Sequence, residues 1–327
     1  MRALRTLAAG VALLAMTAAL PSQLPPPRAP AETEDSPKSR VVIARDPKAV
    51  EFYKPQADRV ELLVERGILA LTNEKDAATA WRQFVQPHDV VGIKINAGLG
   101  PVMSTRRPVV DAVVTGLRRA GVPPANIIIW DRNAEHLTAA GWEIRTEGEG
   151  PLCYATIPQA GWDENAFFQV ARPGTIIWGD LEFGQRQISE RSYYSRIVTR
   201  RATKLINIAV LTDSRHVGLA ACLHNLSIGS VDNNRRFQTE TLHYDAGIAE
   251  ICARPPIRPK LALNILDALI AQYAGGPAFR PEMAWAPGEL YFSRDPATLD
   301  ALAAVHGIGA HKLAAHGQAL LALCAPA

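Results

Sequence analysis

The sequence lacks the features that define several protein classes. Its 327 residues include four cysteines and no Cys-x-x-Cys pair, which excludes a disulfide-framework mini-protein and disfavours a zinc ribbon or ferredoxin-type cluster carried by this chain alone. The formal charge of +3, from 35 basic and 32 acidic residues, is too small for a general nucleic-acid binder. With 48% hydrophobic and 20% charged residues, the composition is that of an ordinary globular protein.

Familiar catalytic signatures are also missing. The sequence has no G-x-S-x-G nucleophile elbow, no H-E-x-x-H zinc motif and no complete G-x-G-x-x-G loop. Gly98-Leu99-Gly100-Pro101 resembles a phosphate-cradling turn without the third glycine, and a rigid turn explains it equally well. Any prediction of function therefore has to come from the placement of polar residues.

The N-terminal segment has the pattern of a secretory signal peptide. Arg2 and Arg5 precede the apolar run Leu7–Leu20, and small residues allow cleavage after Ala19 or after Ala31. An amphipathic or buried N-terminal helix is the alternative, but the run has no polar face. No later run of about 18 apolar residues occurs, so no span is predicted in the mature chain. A periplasmic or secreted location is therefore expected.

The region around the predicted cleavage site indicates a tether. We assign residues 1–31 to the signal peptide and the start of the tether, and residues 32–40 to a flexible linker rich in proline and charge. Removal of residues 1–31 leaves 32 of the 35 basic residues against 32 acidic ones. The net charge of the mature chain therefore says nothing about its partners.

The rest of the chain alternates between strand and helix patterns. This order predicts an α/β fold with a mostly parallel sheet flanked by helices, and two lobes with a cleft site at the carboxyl ends of the strands. We divide it into an N-terminal α/β portion (41–140), an irregular insertion or lid (141–203) and a C-terminal α/β portion (204–327). Strands are predicted at Val41–Arg45, Asp89–Asn96, Ile127–Asp131, Lys204–Leu211, Leu261–Asp267 and Leu290–Ser293, and helices at Val60–Leu71, Lys75–Val85 (with Asn73 as its cap), Pro108–Ala120, Leu219–Leu226 and Pro296–Val305.

Polar residues follow four of the buried strands. In open parallel sheets, ligands bind outside the carboxyl ends of the strands, so these residues are candidates for one shared site. The alternative is that each aspartate caps a helix or turn. The residues in question are Lys94, Asn96, Asp131, Arg132, Asp213 and Asp267.

The segment after the third of these strands is the candidate metal site. Asp213, His216 and His224 offer one carboxylate and two imidazoles, a set that suits Zn²⁺, Fe²⁺, Ni²⁺ or Mn²⁺. Their spacing matches no standard zinc motif, and each histidine could equally be packed or solvent-exposed. Asn225, next to His224, is a further candidate for substrate binding.

A family resemblance appears at the same residues. The chain resembles the bacterial family called "domain of unknown function 362" from about Val41 to Val305. The segments that carry the resemblance are VGIKINAGLGPVMSTRRPVVDAV, GVPPANIIIWDR, LINIAVLTDSRHVGLAACLHNLSIGSVDNNRRF, IAEICARPPIRPKLALNILDALIAQYAGGPAF and LYFSRDPATLD.

The resemblance implies a site but no established activity. At the superfamily level the family is similar to lactate racemase, a nickel-pincer-nucleotide enzyme of two α/β domains, which implies that Asp213, His216 and residue 224 lie in a cleft. Many members carry Lys where this chain has His224, and the ferredoxin-like segment of some members is absent. An acyl-imidazole hydrolyses readily, so we expect no covalent nucleotide, and any divalent transition metal would be held by side chains directly.

Two functions from different classes remain open. The first is an exported, metal-assisted racemase-, epimerase- or lyase-like enzyme acting by proton transfer on a small anionic or polar substrate. The second is a periplasmic ligand- or metal-binding accessory protein without turnover. We assign catalysis to His216, His224 and Lys94, substrate binding to Asn96, Asp131, Arg132, Asn225 and Asp267, and metal binding to Asp213, His216 and His224.

Export is directly testable. If the full chain is produced in a bacterium with a general secretion pathway, N-terminal sequencing of the soluble protein should find a first residue between about 20 and 32. Replacing Leu13 and Leu14 by Arg should abolish this processing, because charge interrupts the apolar run. Soluble cytoplasmic protein that keeps Met1 in the unaltered chain would contradict the prediction.

Overall fold

The computed structural model describes residues 39–175, 188–214, 217–237, 241–276 and 278–307. The predicted signal peptide and most of the predicted linker lie outside these residues, as do His216 and Cys324. The residues described belong to one compact unit.

The strands form one large sheet and two small hairpins. In chain order the strands are β1 (Val41–Arg45), β2 (Val50–Glu51), β3 (Lys54–Pro55), β4 (Val91–Ile95), β5 (Ile127–Asn133), β6 (Leu152–Ile157), β7 (Trp162–Thr175), β8 (Ile188–Ser195), β9 (Lys204–Ser214), β10 (Gly218–Ala220), β11 (Leu261–Gln272), β12 (Ala284–Trp285) and β13 (Glu289–Ser293).

The helices lie between these strands. They are α1 (Ala57–Thr72), α2 (Ala77–Arg82), α3 (Gly100–Met103), α4 (Arg107–Arg119), α5 (Ala134–Ala139), α6 (Cys222–Ile228), α7 (Thr241–Ala253) and α8 (Pro296–Gly307). Short 3-10 turns occupy Pro124–Asn126, Asn234–Phe237 and Pro281–Met283, and a π-helical turn occupies Ile197–Arg201.

The main sheet is mostly parallel, which confirms the predicted fold class. Its order is β1-β13-β11-β9-β4-β5-β6, with β10 paired to β9 and β12 to β11. Five neighbouring strands, β11, β9, β4, β5 and β6, run parallel, whereas β13 is antiparallel to both β11 and β1. Since β4 and β9 are neighbours, the N-terminal and C-terminal portions share a single sheet and do not form two separate sheets. The chain leaves β4 towards β5 and β6 and then returns to β9, so the topological switch point lies between β4 and β9.

Apolar clusters cover both faces of this sheet. On one face, the core includes Val60 and Ile68 of α1, Trp81 of α2 and Val113 of α4. The other face packs on α6, α7 and α8. Packing is close enough that a Cβ atom added at Gly116 of α4 would lie 2.1 Å from the indole Nε1 of Trp81. No helix in the described part of the chain has the length and apolar character needed to cross a bilayer.

The structure corrects some of the predicted elements. Asn73 does not start the second helix: it ends α1 in the left-handed conformation (φ 60°), and Asp76 caps α2 by accepting a hydrogen bond from the Thr79 N–H. The predicted helix at Leu219–Leu226 is divided between β10 and α6, because Gly218–Ala220 first pairs with the end of β9. The region 141–203 is more regular than predicted, since β6 joins the main sheet and β7 pairs with β8.

Candidate functional site

A buried ammonium group lies near the carboxyl ends of β4 and β5. The Nζ atom of Lys94 donates hydrogen bonds to Asp131 Oδ1 (2.7 Å), Asn225 Oδ1 (2.8 Å) and the Ile95 carbonyl (2.6 Å). An ammonium group has three protons, so all its donors are used within the protein. Burial lowers the pKa of Lys94 from its ordinary value, and the carboxylate of Asp131 opposes that shift. Lys94 therefore contacts two of the other residues predicted for the site, Asp131 and Asn225.

A row of polar side chains continues from this cluster across the sheet. Lys94 of β4, Asn207 of β9 and Asn264 of β11 occupy one register line and lie on the same face. Asn225 Nδ2 donates to Asn207 Oδ1 (2.8 Å), and Asn207 Nδ2 donates to Asn264 Oδ1 (3.0 Å). Asn207 and Asn264 are fully buried. Because each amide orients the next, the row fixes the side chain of Asn225 that accepts from Lys94.

A glycine gives Lys94 the room it needs. A Cβ atom at Gly229, the residue that ends α6, would lie 2.6 Å from Lys94 Cε. The helix carrying Asn225 and His224 can therefore lie directly over the lysine only if residue 229 has no side chain.

Asp300 holds the start of the same helix. This buried side chain of α8 accepts hydrogen bonds from the N–H groups of Cys222 and Leu223, both at 2.8 Å. Burial raises the pKa of Asp300 from its ordinary 3.8 to about 7, although the two N–H donors favour the ionised form. Sequence reasoning missed this residue, since it lies 78 positions from Cys222 and its sequence context resembles that of any helical aspartate.

The loop after β4 covers the carboxyl ends of β4 and β9, where the topological switch point lies. Thr105 Oγ1 donates to the Ile208 carbonyl of β9 (2.8 Å) and accepts from the Asn96 N–H at the end of β4 (2.9 Å). Beside it, Arg106 forms a buried ion pair with Asp267 (3.2 Å), whose carboxylate also accepts the backbone N–H of Arg106. The prediction that Asp267 ends its strand is wrong, since β11 continues to Gln272, and the carboxylate of Asp267 is engaged with this loop. The separation of 161 residues between these partners gave no local signal.

The other predicted residues are distributed around this edge. Asp131 Oδ2 accepts the Ala97 N–H (2.7 Å), while Asn96 and Arg132 are partly exposed. Arg132 also lies over the indole ring of Trp162, 5.4 Å from its centroid. The structure thus brings Asp131 into the Lys94 cluster and leaves Asn96 and Arg132 accessible beside it.

The predicted metal ligands are only partly described. Asp213 is buried, and its Oδ1 atom accepts from the Gly276 N–H (2.8 Å) and from Gln272 Nε2 (3.3 Å). His224 is half-buried on α6, and His216 lies outside the described residues. Within those residues, no group of three His, Cys, Asp or Glu side chains is arranged to hold a metal ion. Cys153, Cys222 and Cys252 are buried free thiols.

The Lys94–Asp131 pair should contribute strongly to stability. Changing Lys94 to Met leaves the Asp131 carboxylate buried without its cation, and we expect a loss of about 3–5 kcal/mol in the free energy of unfolding. Adding Asp131→Asn should recover part of that loss, because the uncompensated charge is then gone. Urea unfolding of the two single variants and the double variant measures the coupling, and strictly additive losses would contradict the pairing.

Asp300 should make stability depend on pH. Between pH 4 and 7 the unfolded chain has lost the Asp300 proton while the folded chain keeps it, so the free energy of unfolding falls as pH rises and levels off above about 7. In Asp300→Asn this slope, about 1 kcal/mol per pH unit, should be absent. Urea midpoints at four pH values compare the variant with the wild type. Asp58→Asn, at an exposed site on α1, is the control that should keep the wild-type slope.

Comparisons with known proteins give a distant structural likeness. No protein-family model matches this chain, and no curated protein matches it. A Thermotoga maritima protein solved by structural genomics aligns with 84% of this chain and 60% of its own, at 9% identity and a TM-score of 0.40. The lactate racemase apoprotein of Thermoanaerobacterium thermosaccharolyticum aligns with 73% of this chain and 53% of its own, at 11% identity and a TM-score of 0.33. This chain therefore spans a little over half the length of these two proteins and is similar to them only distantly.

Proposed function

We propose that this chain binds a small polar or anionic molecule at the carboxyl ends of β4 and β5 and transfers a proton on it. The observation that carries the proposal is the contact of Lys94 with Asp131 and Asn225. Through this contact β4, β5 and α6 together form one rigid cluster of polar side chains. Ligands of open parallel sheets bind outside this end of the strands. A racemase-, epimerase- or lyase-like enzyme that is exported by the N-terminal signal is the full form of the proposal.

Within this proposal Lys94 is a positioning residue. Its three donors are engaged by protein oxygens, so it orients Asp131 and α6 and has no donor left for a substrate. The accessible Asn96 and Arg132 would contact the ligand, with Arg132 supplying the positive charge. His224 would carry the proton, because an imidazole exchanges protons near neutral pH and this one is half-buried beside Asn225. His216 would act as its partner.

Metal assistance is a separate part of the proposal. The described residues alone do not fit a divalent cation, because Asp213 already accepts two protein donors and no group of three His, Cys, Asp or Glu side chains is arranged among them to hold a metal. The ligand set of Asp213, His216 and His224 therefore depends on His216. The proton transfer proposed here needs no metal, and we expect no covalently attached nucleotide.

The engagement of Lys94 favours one alternative. A protein that only binds its ligand needs a rigid polar surface, and it does not need a titrating group with free donors. The Lys94 cluster provides such a surface. A periplasmic binding protein without turnover is therefore the second candidate.

Hydrogen exchange at carbon separates the two functions. The protein is incubated in D₂O with L-lactate or D-gluconate, with and without Zn²⁺, Mn²⁺ or Ni²⁺, and proton NMR follows the C2–H signal. Transfer breaks the C2–H bond, delivers the proton to the base and returns a deuteron from solvent, so the C2–H signal should disappear. His224→Gln should slow this loss about 10²–10⁴-fold while ligand binding persists.

A histidine outside the proposed site provides a matched control. His88 is exposed just before β4, so His88→Gln should exchange at the wild-type rate. If either acid binds but its C2–H does not exchange, the proposal of an enzyme is wrong and that of a binding protein is supported. If neither acid binds and neither exchanges, the proposal for this class of substrate is wrong.

A further inference from the structure

A cavity of about 870 Å³ lies at the opposite ends of the same strands. Its apolar floor comes from adjacent strands: Val90 directly before β4, Ile128 of β5 and Leu152 of β6. These residues are at the amino ends, whereas Lys94 and Asp131 are at the carboxyl ends. The volume lies in the range of natural small-molecule pockets, 300–1,000 Å³, and nothing in the proposed function uses it.

Three guanidinium groups line one wall. Arg196, Arg200 and Arg201 come from the π-helical turn Ile197–Arg201 and the residue before it. The i to i+5 hydrogen bond of this turn, from the Ala202 N–H to the Ile197 carbonyl (2.8 Å), brings residues four and five positions apart to one side. This single π turn therefore concentrates positive charge on the cavity, and none of the lining residues that the structure describes is acidic.

One of the three charges is already compensated. Arg200 makes a bidentate pair with Asp163, Nε to Oδ2 at 2.9 Å and Nη2 to Oδ1 at 2.8 Å. This pairing holds the pKa of Asp163 far below its ordinary value, so the carboxylate stays ionised. The cavity wall still carries the charges of Arg196 and Arg201.

Those two guanidinium groups have no acceptor among the described residues. The Nε atom of Arg196 is buried and forms no hydrogen bond there, and neither Arg196 nor Arg201 forms an ion pair with a described carboxylate. A buried donor without an acceptor is unfavourable, and the guanidinium groups of Arg196 and Arg201 are free to pair with an anion in the cavity. Tyr154 also lines the cavity; burial raises its pKa, and the nearby Arg201 opposes that shift.

We propose that this cavity binds a small organic anion, with its phosphate or carboxylate group on Arg196 and Arg201 and its apolar body on Val90, Ile128 and Leu152. The guanidinium fork matches the oxygen spacing of both head groups, so this chemistry is shared. Two uncompensated charges above an aliphatic floor favour an anion over a neutral ligand of the same shape. The site is independent of the proposed proton transfer, because it uses other residues at the other end of the sheet.

Calorimetric titration of the full chain tests the site. The probes are phenyl phosphate and benzoate, with benzyl alcohol as the neutral analogue. We expect at least one anion to bind and benzyl alcohol not to bind. Arg196→Met and Arg201→Met should each weaken the binding at least tenfold, since each removes one of the two uncompensated charges. Arg118→Met, an exposed site on α4 at the opposite face of the sheet, should leave it unchanged.

The variants also separate this site from the other one. His224→Gln should not affect binding of the anion, and circular dichroism establishes that each variant is folded. Because Arg201 is exposed, Arg201→Met remains informative if Arg196→Met does not fold. Binding of one anion but not the other identifies the head group and supports the site. Failure of both anions to bind at 5 mM, or equal binding by the wild type and the folded arginine variants, would overturn it.

Discussion

The buried ammonium group of Lys94 is the interaction on which the carboxyl edge of the sheet depends. It joins β4 to β5 through Asp131 and to α6 through Asn225, so one charge fixes three elements. An ammonium group loses most of its hydration when it is buried, and such a group is tolerated only when every proton finds an acceptor. Asn207 and Asn264 orient the acceptor, and the absence of a side chain at Gly229 gives the ammonium its space.

Buried aspartates use the same principle at the surrounding loops. Asp131 accepts the Ala97 N–H, Asp267 that of Arg106, Asp213 that of Gly276 and Asp300 those at the start of α6. In each case a carboxyl group satisfies backbone donors that would otherwise be buried without a partner. The loops around the sheet edge are therefore held by side chains, and this is the kind of support that keeps a binding site in a fixed geometry.

The sequence predicts the strands better than it predicts these contacts. The nearly continuous apolar runs of β4, β5, β9 and β11 reveal buried strands, because a strand covered on both faces has no polar alternation. The single polar residue inside three of these runs, Lys94, Asn207 and Asn264, was a signal for the polar row, since the strands are neighbours in the same register. That row became visible only with the strand order.

Long-range pairs could not be predicted in this way. Arg106 and Asp267 are 161 residues apart, and Asp300 meets α6 across 78 residues. Their local sequences contain ordinary loop and helix residues, so nothing near either partner indicates the contact. The arginine-lined cavity could not be predicted for a related reason. A π-helical turn has no simple sequence period, and the clustering of the three arginines depends on the geometry of that turn.

The loop that covers the switch point between β4 and β9 determines which surface a ligand at the carboxyl edge would contact first. Thr105 bridges β4 and β9, and the buried Arg106–Asp267 pair anchors the loop that carries it. A molecule approaching this crevice would therefore touch the loop before it reached the strand ends. Gly98 is exposed there, and no atom lies within 4 Å of a Cβ built at Gly100, whose φ is +74°. Val102 of the same loop is exposed as well, so a ligand arriving here would meet peptide hydrogen-bonding groups beside an apolar side chain.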